Sequence, residues 1–555
     1  MKTLAFFNTK KLPIIFLAVT LLLSLFVLYT PGASAKNDTT QFSAVRAQEH
    51  IEVISREPHS YYDRDAHEDV RQYLISTLSD YLGPFRVTEF NYTVDQVKTE
   101  LEASYPSFDP DEVLYPVENV LGVLPGENPE GIMLVSHYDS RGHVGRTGEQ
   151  GRSYGAMDDG YGVGTMLELA YLLKDSNPKN SIYFLFTDAE EVGLYGAIMA
   201  AAEQTLMDNV KFIINLESRG SHGPAYMFET SANNAKVIDL YRKANYPVTY
   251  SMATAVYELM PNFTDFTPLM ETGKPGLNFA VLAGLDNYHT PFDRYEFINI
   301  SSIQHMGSQI EPVIREFISD SKYIEDNYFT ADSNQVFFTI FAGIMINYSQ
   351  VFAIILAFLL LVLFGFVTFL KVKNQTLTKT TFTKTLFKGL LLFLLMVVVG
   401  LIYGYVVAFL GKVPFSVTYT RVSLTEIPTA LLMIGLAVIM IKKFKSSNDD
   451  ALYIGVMFNV LLTLVTTFTL EGASFLFAFT ALFGLVAIFT NYIPNKLARQ
   501  LVYGISYAFI LFMLIPILYS FYNALTVGGT VVLTVLLTIN GSVALPIINK
   551  QFVEE

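Results

Sequence analysis

Seven long apolar runs occupy the C-terminal part of the chain, and they restrict the possible folds more than any other feature of the sequence. A helix needs about 20 apolar residues to cross the hydrocarbon core of a bilayer, which is roughly 30 Å thick. Charged residues, which a helix in a soluble core would carry on its outer face, are nearly absent from these runs. We therefore expect a C-terminal α-helical bundle of about seven transmembrane helices in a lipid bilayer, with the third run as the shortest. The runs are approximately residues 351–370, 386–410, 427–441, 451–469, 473–492, 501–519 and 527–547.

The positions of the basic residues indicate how this bundle is oriented. Lys and Arg in short loops between spans are retained on the cytoplasmic side, and here they lie in alternate loops. The first run is therefore expected to enter the membrane from outside the cytoplasm. The N-terminus agrees, because Lys2, Lys10 and Lys11 precede a further apolar run at residues 12–29. The bases between spans are Lys371, Lys373, Lys379, Lys384, Lys388, Lys442, Lys443, Lys445, Lys496 and Arg499.

Residues 36–335 differ in composition from the rest of the chain. They contain 45 of the 51 acidic residues, 21 of the 37 basic residues and all eight His. We expect a cytoplasmic stub and membrane anchor at 1–35, an extracytoplasmic domain at 36–335 and a polytopic membrane domain at 336–555. The Ala-Ser-Ala segment at 33–35 resembles a signal-peptidase site, so a cleaved signal peptide is the alternative to the anchor. An exported domain without Cys has no disulfides, which fits a bacterial cell membrane better than a secretory lumen.

Apolar, β-rich segments alternate with helical patterns inside the 36–335 domain. This alternation predicts an α/β fold, with a mostly parallel central sheet covered by helices on both faces. Ligands bind at the carboxyl ends of the strands in such sheets. The expected strands are residues 131–135, 181–186, 210–216 and 276–281, and the expected helices are residues 43–56, 162–174, 235–244 and 303–319.

Polar clusters lie at five places in this domain, four of them after expected strands and one after the loop that follows the first cluster. Each cluster alone is typical of a solvated turn, but five groups of His and carboxylates meeting at one sheet edge, with no basic cluster to neutralise them, favour a bound cation. Imidazoles mixed with carboxylates suit Zn²⁺, whereas sets of oxygen ligands suit Ca²⁺ or Mg²⁺. Neighbouring side chains diverge, so one member of the Glu190-Glu191 pair can bind a metal while the other acts as a base towards water, a hydrolase arrangement. The clusters are residues 136–140, 155–160, 187–191, 216–220 and 286–291.

Over residues 42–317 the sequence resembles the co-catalytic dinuclear zinc aminopeptidases. The similarity begins with Arg46-Ala47, Ile54 and the Pro-His-Ser segment at 58–60, and continues through all five clusters in order. It is greatest to the membrane branch of that family, which includes vacuolar membrane proteases and endoplasmic reticulum metallopeptidases. That branch also combines an anchor, an extracytoplasmic peptidase domain and a multi-span tail.

The resemblance implies a ligand set for two Zn²⁺ ions per chain. His137 and Glu217 would complete one site, Glu191 and His289 would complete the other, and Asp158 would bridge them. Asp158 is chosen over its neighbour because the family pattern is Asp, any residue, small, any residue, Gly. Soluble members commonly have Asp at the position of Glu217, whereas the membrane branch has Glu.

Further roles follow from the same resemblance. Glu190 would be the general base, and Asp139 would orient the first histidine ligand, as metal-bound imidazoles usually require. Tyr288 could donate a hydrogen bond to the tetrahedral oxyanion. The long segment 141–154 between the first two ligands is instead a departure from the family, and it contains Arg141, His143, Arg146 and Arg152. An Arg there, such as Arg141, could receive a substrate carboxylate, although a solvated loop is the simpler interpretation. Asp265 falls where the family often has an acid near the pocket.

We therefore expect a membrane-bound zinc metallopeptidase that acts on peptides outside the cytoplasm, with aminopeptidase activity favoured. Dipeptidase and carboxypeptidase activities share these ligands and remain alternatives. Glutaminyl cyclases share the fold but use one zinc and lack counterparts of His137 and Glu217, both present here. A non-catalytic receptor would be expected to have lost ligands, and a transporter would carry ionisable residues inside its spans. A peptide and the lipid bilayer are the expected partners, and no nucleic acid is expected.

Overall fold

The computed structural model describes residues 11–105, 109–142, 152–257, 263–341, 343–443 and 448–553. The chain separates into two compact units. One is formed by Tyr29–Gln335 with Ala342–Met345. The other is formed by Met1–Leu28, Val336–Phe341 and Ile346–Glu555.

A seven-stranded sheet organises the first unit. In the order in which they lie side by side, the strands are β1, β2, β4, β3, β5, β7 and β6. The four central strands, β4, β3, β5 and β7, run parallel to one another. At the margins the pairing is antiparallel, between β1 and β2, between β2 and β4, and between β6 and β7. The strand bounds are β1 Val87–Tyr92, β2 Val117–Leu124, β3 Asn128–His137, β4 Asn180–Thr187, β5 Val210–Ser218, β6 His222–Thr230 and β7 Gly276–Ala283.

The four strands expected from the sequence are the four parallel ones, and the α/β class is confirmed. Every residue of β4 and β7 is buried, which is why both strands appear in the sequence as continuous apolar runs. The strands that were not expected are antiparallel ones, and the edge strand β1 is half exposed. Because of these strands, the complete sheet is mixed, with a parallel centre and antiparallel pairing at both margins.

Helices cover both faces of this sheet. On one face, α2, α5 and α12 pack together and against the central strands. On the other face, Met133 and Val135 of β3 lie in a core cluster with Phe266 and Leu269 of α11. The helices of this unit are α2 Ala44–Ile54, α3 Arg64–Leu82, α4 Val94–Ser104, α5 Gly160–Leu173, α6 Glu190–Gly193, α7 Tyr195–Ala202, α8 Gln204–Met207, α9 Ala235–Tyr241, α10 Ser251–Tyr257, α11 Phe266–Glu271 and α12 Ile300–Ser319, and α1 Leu12–Leu25 precedes them in the second unit.

The second unit is a multi-pass membrane bundle. Within the described residues, six of its helices are long and apolar enough to cross a bilayer. The third run of the sequence also forms a helix, α15, but its apolar stretch Glu426–Met440 is shorter than the other six, since Lys442 and Lys443 follow it directly. Two short strands, β8 Gln335–Phe341 and β9 Ile344–Ser349, precede the bundle. Its remaining helices are α13 Gln350–Lys373, α14 Lys379–Leu410, α15 Glu426–Lys443, α16 Asn448–Thr469, α17 Ser474–Phe489, α18 Lys496–Leu525 and α19 Thr530–Val553.

Candidate metal centre

Three neighbouring strands bring the polar clusters to one edge of the sheet. His137 is the last residue of β3, and Glu217 is the second-last residue of β5, the strand beside it. Glu190 and Glu191 begin α6, just beyond the end of β4 on the other side of β3. Asp158 lies two residues before the start of α5. The clusters therefore converge at the carboxyl ends of parallel strands, where α/β sheets bind ligands.

Five side chains form two groups that share one carboxylate. In the first group, Nε2 of His137 lies 3.5 Å from Oδ1 of Asp158 and 3.7 Å from Oε2 of Glu217. In the second group, Nε2 of His289 lies 3.1 Å from Oδ2 of Asp158 and 3.1 Å from Oε1 of Glu191. Each oxygen of Asp158 thus faces a different histidine, which is the arrangement that a bridging carboxylate requires.

The bonding state of these atoms fits a pair of metal ions. Nε2 of His137, Oδ2 of Asp158, Oε1 of Glu191 and Nε2 of His289 are all buried, and none has a hydrogen-bond partner in the described part of the chain. Buried polar atoms in native proteins nearly always have a partner. Donor atoms around a tetrahedral zinc ion with bond lengths of about 2.0–2.2 Å lie roughly 3.3 Å apart, close to the separations seen here.

Burial and mutual repulsion shape the titration of the acids. Burial raises the pKa of Glu217 to about 8, even though His137 acts in the opposite direction. Burial also raises the pKa of Glu190 well above its usual value. Although burial alone would lower it, the nearby carboxylates of Glu191 and Asp158 raise the pKa of His289 to about 9. In the absence of a cation, burial and mutual repulsion therefore disfavour the ionised form of these carboxylates. A bound metal ion would stabilise that form, which again favours a metal at this site.

Asp139 makes more contacts than the expected one with His137. Nδ1 of His137 lies 2.9 Å from the backbone oxygen of Asp139 and 3.5 Å from its carboxylate oxygen Oδ1. The carboxylate itself accepts hydrogen bonds from the backbone amides of Glu190, at 3.0 Å, and Glu191, at 3.3 Å. Asp139 thus connects the histidine at the end of β3 to the two glutamates that follow β4.

The structure separates the two adjacent aspartates by their contacts. Asp159 caps α5, since its Oδ1 accepts from the amide of Gly162 at 3.1 Å. Its other oxygen accepts a hydrogen bond from the hydroxyl of Ser136. Both oxygens of Asp159 are therefore occupied within the protein, whereas those of Asp158 face the two histidines.

The other residues singled out in the sequence lie around this centre. The ring of Tyr288 stacks on that of His289, with centroids 3.6 Å apart, and burial raises the pKa of its hydroxyl well above the usual value. Nη1 of Arg141 lies 3.2 Å from Oε2 of Glu191. Asp265 is fully buried, accepts a hydrogen bond from the hydroxyl of Thr187, and belongs to neither metal-ligand group. Residues 143–151 of the segment that Arg141 begins, including His143 and Arg146, are outside the described residues.

Two supporting residues were not anticipated. The carboxylate of Asp293 accepts hydrogen bonds from the amides of Met157, at 2.7 Å, and Asp158, at 3.4 Å, and so holds the backbone of the bridging aspartate. Asn215 donates to Oε1 of Glu217 over 3.1 Å. The strand period could have indicated the second contact, because residues i and i+2 share a face. For the contacts of Asp293, the only signal in the sequence was the presence of an acid four residues after His289.

Comparison with known proteins agrees with this geometry. Residues 119–314 match the family model described as Peptidase family M28. The vacuolar membrane protease of Candida dubliniensis is 30% identical over 263 residues, which are 46% of this chain and 26% of that protein. The vacuolar membrane protease of Schizosaccharomyces pombe is 29% identical over 285 residues, 50% of this chain and 32% of that protein. The match thus spans about a third or less of the length of these curated relatives.

Solved structures with a similar fold include peptidases and cyclases. The aminopeptidase from Aneurinibacillus sp. strain AM-1 has a TM-score of 0.39 and 14% identity, covering 51% of this chain and 95% of that one. The glutaminyl cyclase from Bacteroides thetaiotaomicron has a TM-score of 0.40 and 18% identity, covering 52% of this chain and 99% of that one. The family match and the vacuolar relatives confirm the resemblance seen in the sequence: this chain contains a peptidase family M28 domain and is related to the membrane branch of that family.

Proposed function

We propose that this protein is a membrane-bound, zinc-dependent aminopeptidase that hydrolyses peptides with a dinuclear zinc centre outside the cytoplasm. The observation that carries the proposal is the shared carboxylate of Asp158, whose two oxygens face His137 and His289 at 3.5 and 3.1 Å. A site for one ion would need only one of the two groups. The presence of both favours two ions and a peptidase over a single-zinc cyclase.

The proposal assigns the ligands by group. His137 and Glu217 would hold one ion, Glu191 and His289 would hold the other, and Asp158 would contact both. Zinc, when bound, supplies Lewis-acid chemistry, since it makes water nucleophilic near neutral pH and polarises a carbonyl oxygen.

Glu190 would move the proton. It is the one carboxylate of the Glu190-Glu191 pair that lies outside the two ligand groups, and its backbone is held by Asp139. Burial raises its pKa, which suits a group that takes a proton from the attacking water and returns it to the leaving amine.

Tyr288 would stabilise the negative charge that develops on the carbonyl oxygen. Its raised pKa keeps the hydroxyl protonated at working pH, so that it can donate a hydrogen bond. Stacking on His289 fixes the position of the ring.

The cellular arrangement is part of the proposal. The alternating basic loops and the basic N-terminus support an extracytoplasmic position for the 36–335 domain. The anchor at 1–35 and the polytopic domain at 336–555 would then tether the peptidase to the membrane.

Metal analysis and a small set of peptides test the proposal on the intact protein in detergent. We expect about two zinc ions per chain, about one in His137→Ala, and cleavage of peptides with a free N-terminus but not of the same peptides with an acetylated one. One zinc in the unaltered protein would contradict the dinuclear centre. Cleavage of acetylated peptides alone would contradict the aminopeptidase assignment.

A further inference from the structure

Arg141 occupies a fixed position beside the candidate metal centre. It lies four residues after the end of β3, at the start of the segment that leads to Asp158. The two ends of this segment are joined, because the amide of Ser153 donates to the backbone oxygen of Arg141 at 2.9 Å and the hydroxyl of Ser140 donates to the backbone oxygen of Ser153 at 3.0 Å. The backbone of Arg141 is therefore held in place from across the segment.

The guanidinium of Arg141 uses only part of its hydrogen-bonding capacity. Nη1 donates to the backbone oxygen of Glu191 and lies 3.2 Å from its carboxylate oxygen Oε2. Within the described residues, Nε and Nη2 have no hydrogen-bond partner, and the side chain is 27% exposed. His289, whose Nε2 lies 3.1 Å from the other oxygen of the same carboxylate, is 24% exposed. Unused donors thus lie at the accessible part of the centre.

If Arg141 only balanced the charge of Glu191, its donors Nε and Nη2 would not be needed. Nη1 alone makes that contact, and a compact ammonium could do the same. Guanidinium differs in having a planar fork of donors that matches the two oxygens of a carboxylate. A second arginine lies near, with the guanidinium carbon of Arg219 5.4 Å from the ring centroid of Tyr288. Two guanidinium groups therefore lie beside residues of an otherwise acidic centre.

We propose that Arg141 binds a carboxylate of the peptide substrate next to the scissile bond. The inference rests on the proposed peptidase function and narrows its substrate class to peptides with an anionic group at this position. Two kinds of peptide carry such a group close to the bond: those with an acidic side chain and those, such as dipeptides, with a free C-terminus.

Matched peptides distinguish these two sources. Glu-Ala-amide against Gln-Ala-amide isolates the side-chain carboxylate, and Ala-Ala against Ala-Ala-amide isolates the C-terminal one. We expect kcat/KM to favour the carboxylate member of at least one pair by about 10- to 100-fold, the range that charge-assisted hydrogen bonds give. In Arg141→Ala the ratio within that pair should fall to about 1, mainly through KM. Arg141→Lys should keep only a small part of it.

The control variant is Arg152→Ala, at the other end of the same segment, where a 52% exposed side chain pairs with Asp63. It should keep the ratio of the unaltered protein. Equal losses on all four peptides in Arg141→Ala would show that Arg141 only supports Glu191, and would overturn the inference.

A binding measurement separates this inference from the proposed function. In the Glu190→Gln background, calorimetry with the same four peptides should show the carboxylate preference without turnover, and Arg141→Ala should remove it. If the unaltered protein cleaves none of the peptides but binds with this preference, the peptidase function fails and the carboxylate site stands. If it cleaves peptides with no preference in either pair, the carboxylate site fails and the peptidase function stands.

Discussion

The backbone amide of Glu190 donates a hydrogen bond to Oδ1 of Asp139 over 3.0 Å. This contact joins the loop after β3 to the turn after β4, where Ala189 has a φ of 60°. A non-glycine residue in the left-handed region is strained and persists only where its surroundings hold it. Asp139 therefore fixes the turn from which the proposed base and one proposed ligand emerge.

Replacing Asp139 by Asn should lower kcat/KM by about 10- to 100-fold, as found for residues that orient metal ligands. The amide group keeps the shape but loses the charge and one of the two acceptors that the amides of Glu190 and Glu191 use. Steady-state kinetics and zinc content on the intact protein provide the measurement. Asp111→Asn is the control, since that carboxylate is 96% exposed. Unchanged kinetics in Asp139→Asn would show that the turn does not depend on this carboxylate.

Glu190→Gln should abolish hydrolysis while zinc remains bound. The variant removes the proton acceptor, which is worth about 10²- to 10⁴-fold in rate, but it leaves both ligand groups intact. Glu191→Gln provides the contrast, because it should lower both the zinc content and the rate. Activity in Glu190→Gln close to that of the unaltered protein would exclude Glu190 as the base.

Removing the metal should destabilise the peptidase unit. A ligand present at 100 times its dissociation constant stabilises the folded state by about 2.7 kcal/mol, and without it the acids around Asp158 repel one another. We expect chelation to lower the unfolding temperature by several degrees, and Zn²⁺ but not Mg²⁺ to restore it, since imidazole ligands favour zinc. A melting temperature that is indifferent to chelator would argue against a resident ion.

His305 should make the stability of the same unit depend on pH. Burial lowers the pKa of this histidine from 6.5 to about 4, and its Nδ1 accepts a hydrogen bond from the amide of Ala225 at 3.2 Å. The unfolded chain binds the proton more readily, so stability is complete above pH 6.5 and declines as the pH falls towards 4, by up to about 3 kcal/mol.

The comparison is between the intact protein and His305→Gln, which keeps an acceptor for Ala225 but does not titrate. Urea unfolding between pH 7.5 and 4.5 can be followed by tyrosine circular dichroism, because the chain has 33 Tyr and no Trp. As the pH falls, the free energy of unfolding of the intact protein should decrease relative to that of His305→Gln. A constant difference would mean that His305 does not contribute to the pH dependence.

The parallel centre of the sheet was readable from the sequence because burial on both faces produces uninterrupted apolar strands such as Asn180–Thr187. The strands at the margins were not. β1 is only six residues long, and its exposed and partly buried residues do not alternate regularly. Its partner β2 is recognisable only once paired. Pairing across the sheet is a long-range property that local patterns do not contain.

The order of the site residues in the chain predicted where they meet, but not all of their contacts. His137, Glu191 and Glu217 follow from strand ends, since parallel strands end at one edge. The hydrogen bonds that Asp139 accepts from two backbone amides, and that Asp293 accepts from the amide of Asp158, depend on loop conformations set by the whole fold. The length of the third apolar run was likewise too close to the spanning limit for hydropathy alone to decide.

The peptidase unit is inserted between two parts of the helical unit, with Met1–Leu28 before it and Ile346–Glu555 after it. Within the helical unit, α1 packs against α18, and the hydroxyl of Tyr507 donates to the backbone oxygen of Pro13 at 3.0 Å. A single proteolytic cut after residue 35 would leave the peptidase joined to the bundle through its C-terminal end. Shedding of a soluble enzyme would require two cuts, one on each side of the catalytic domain.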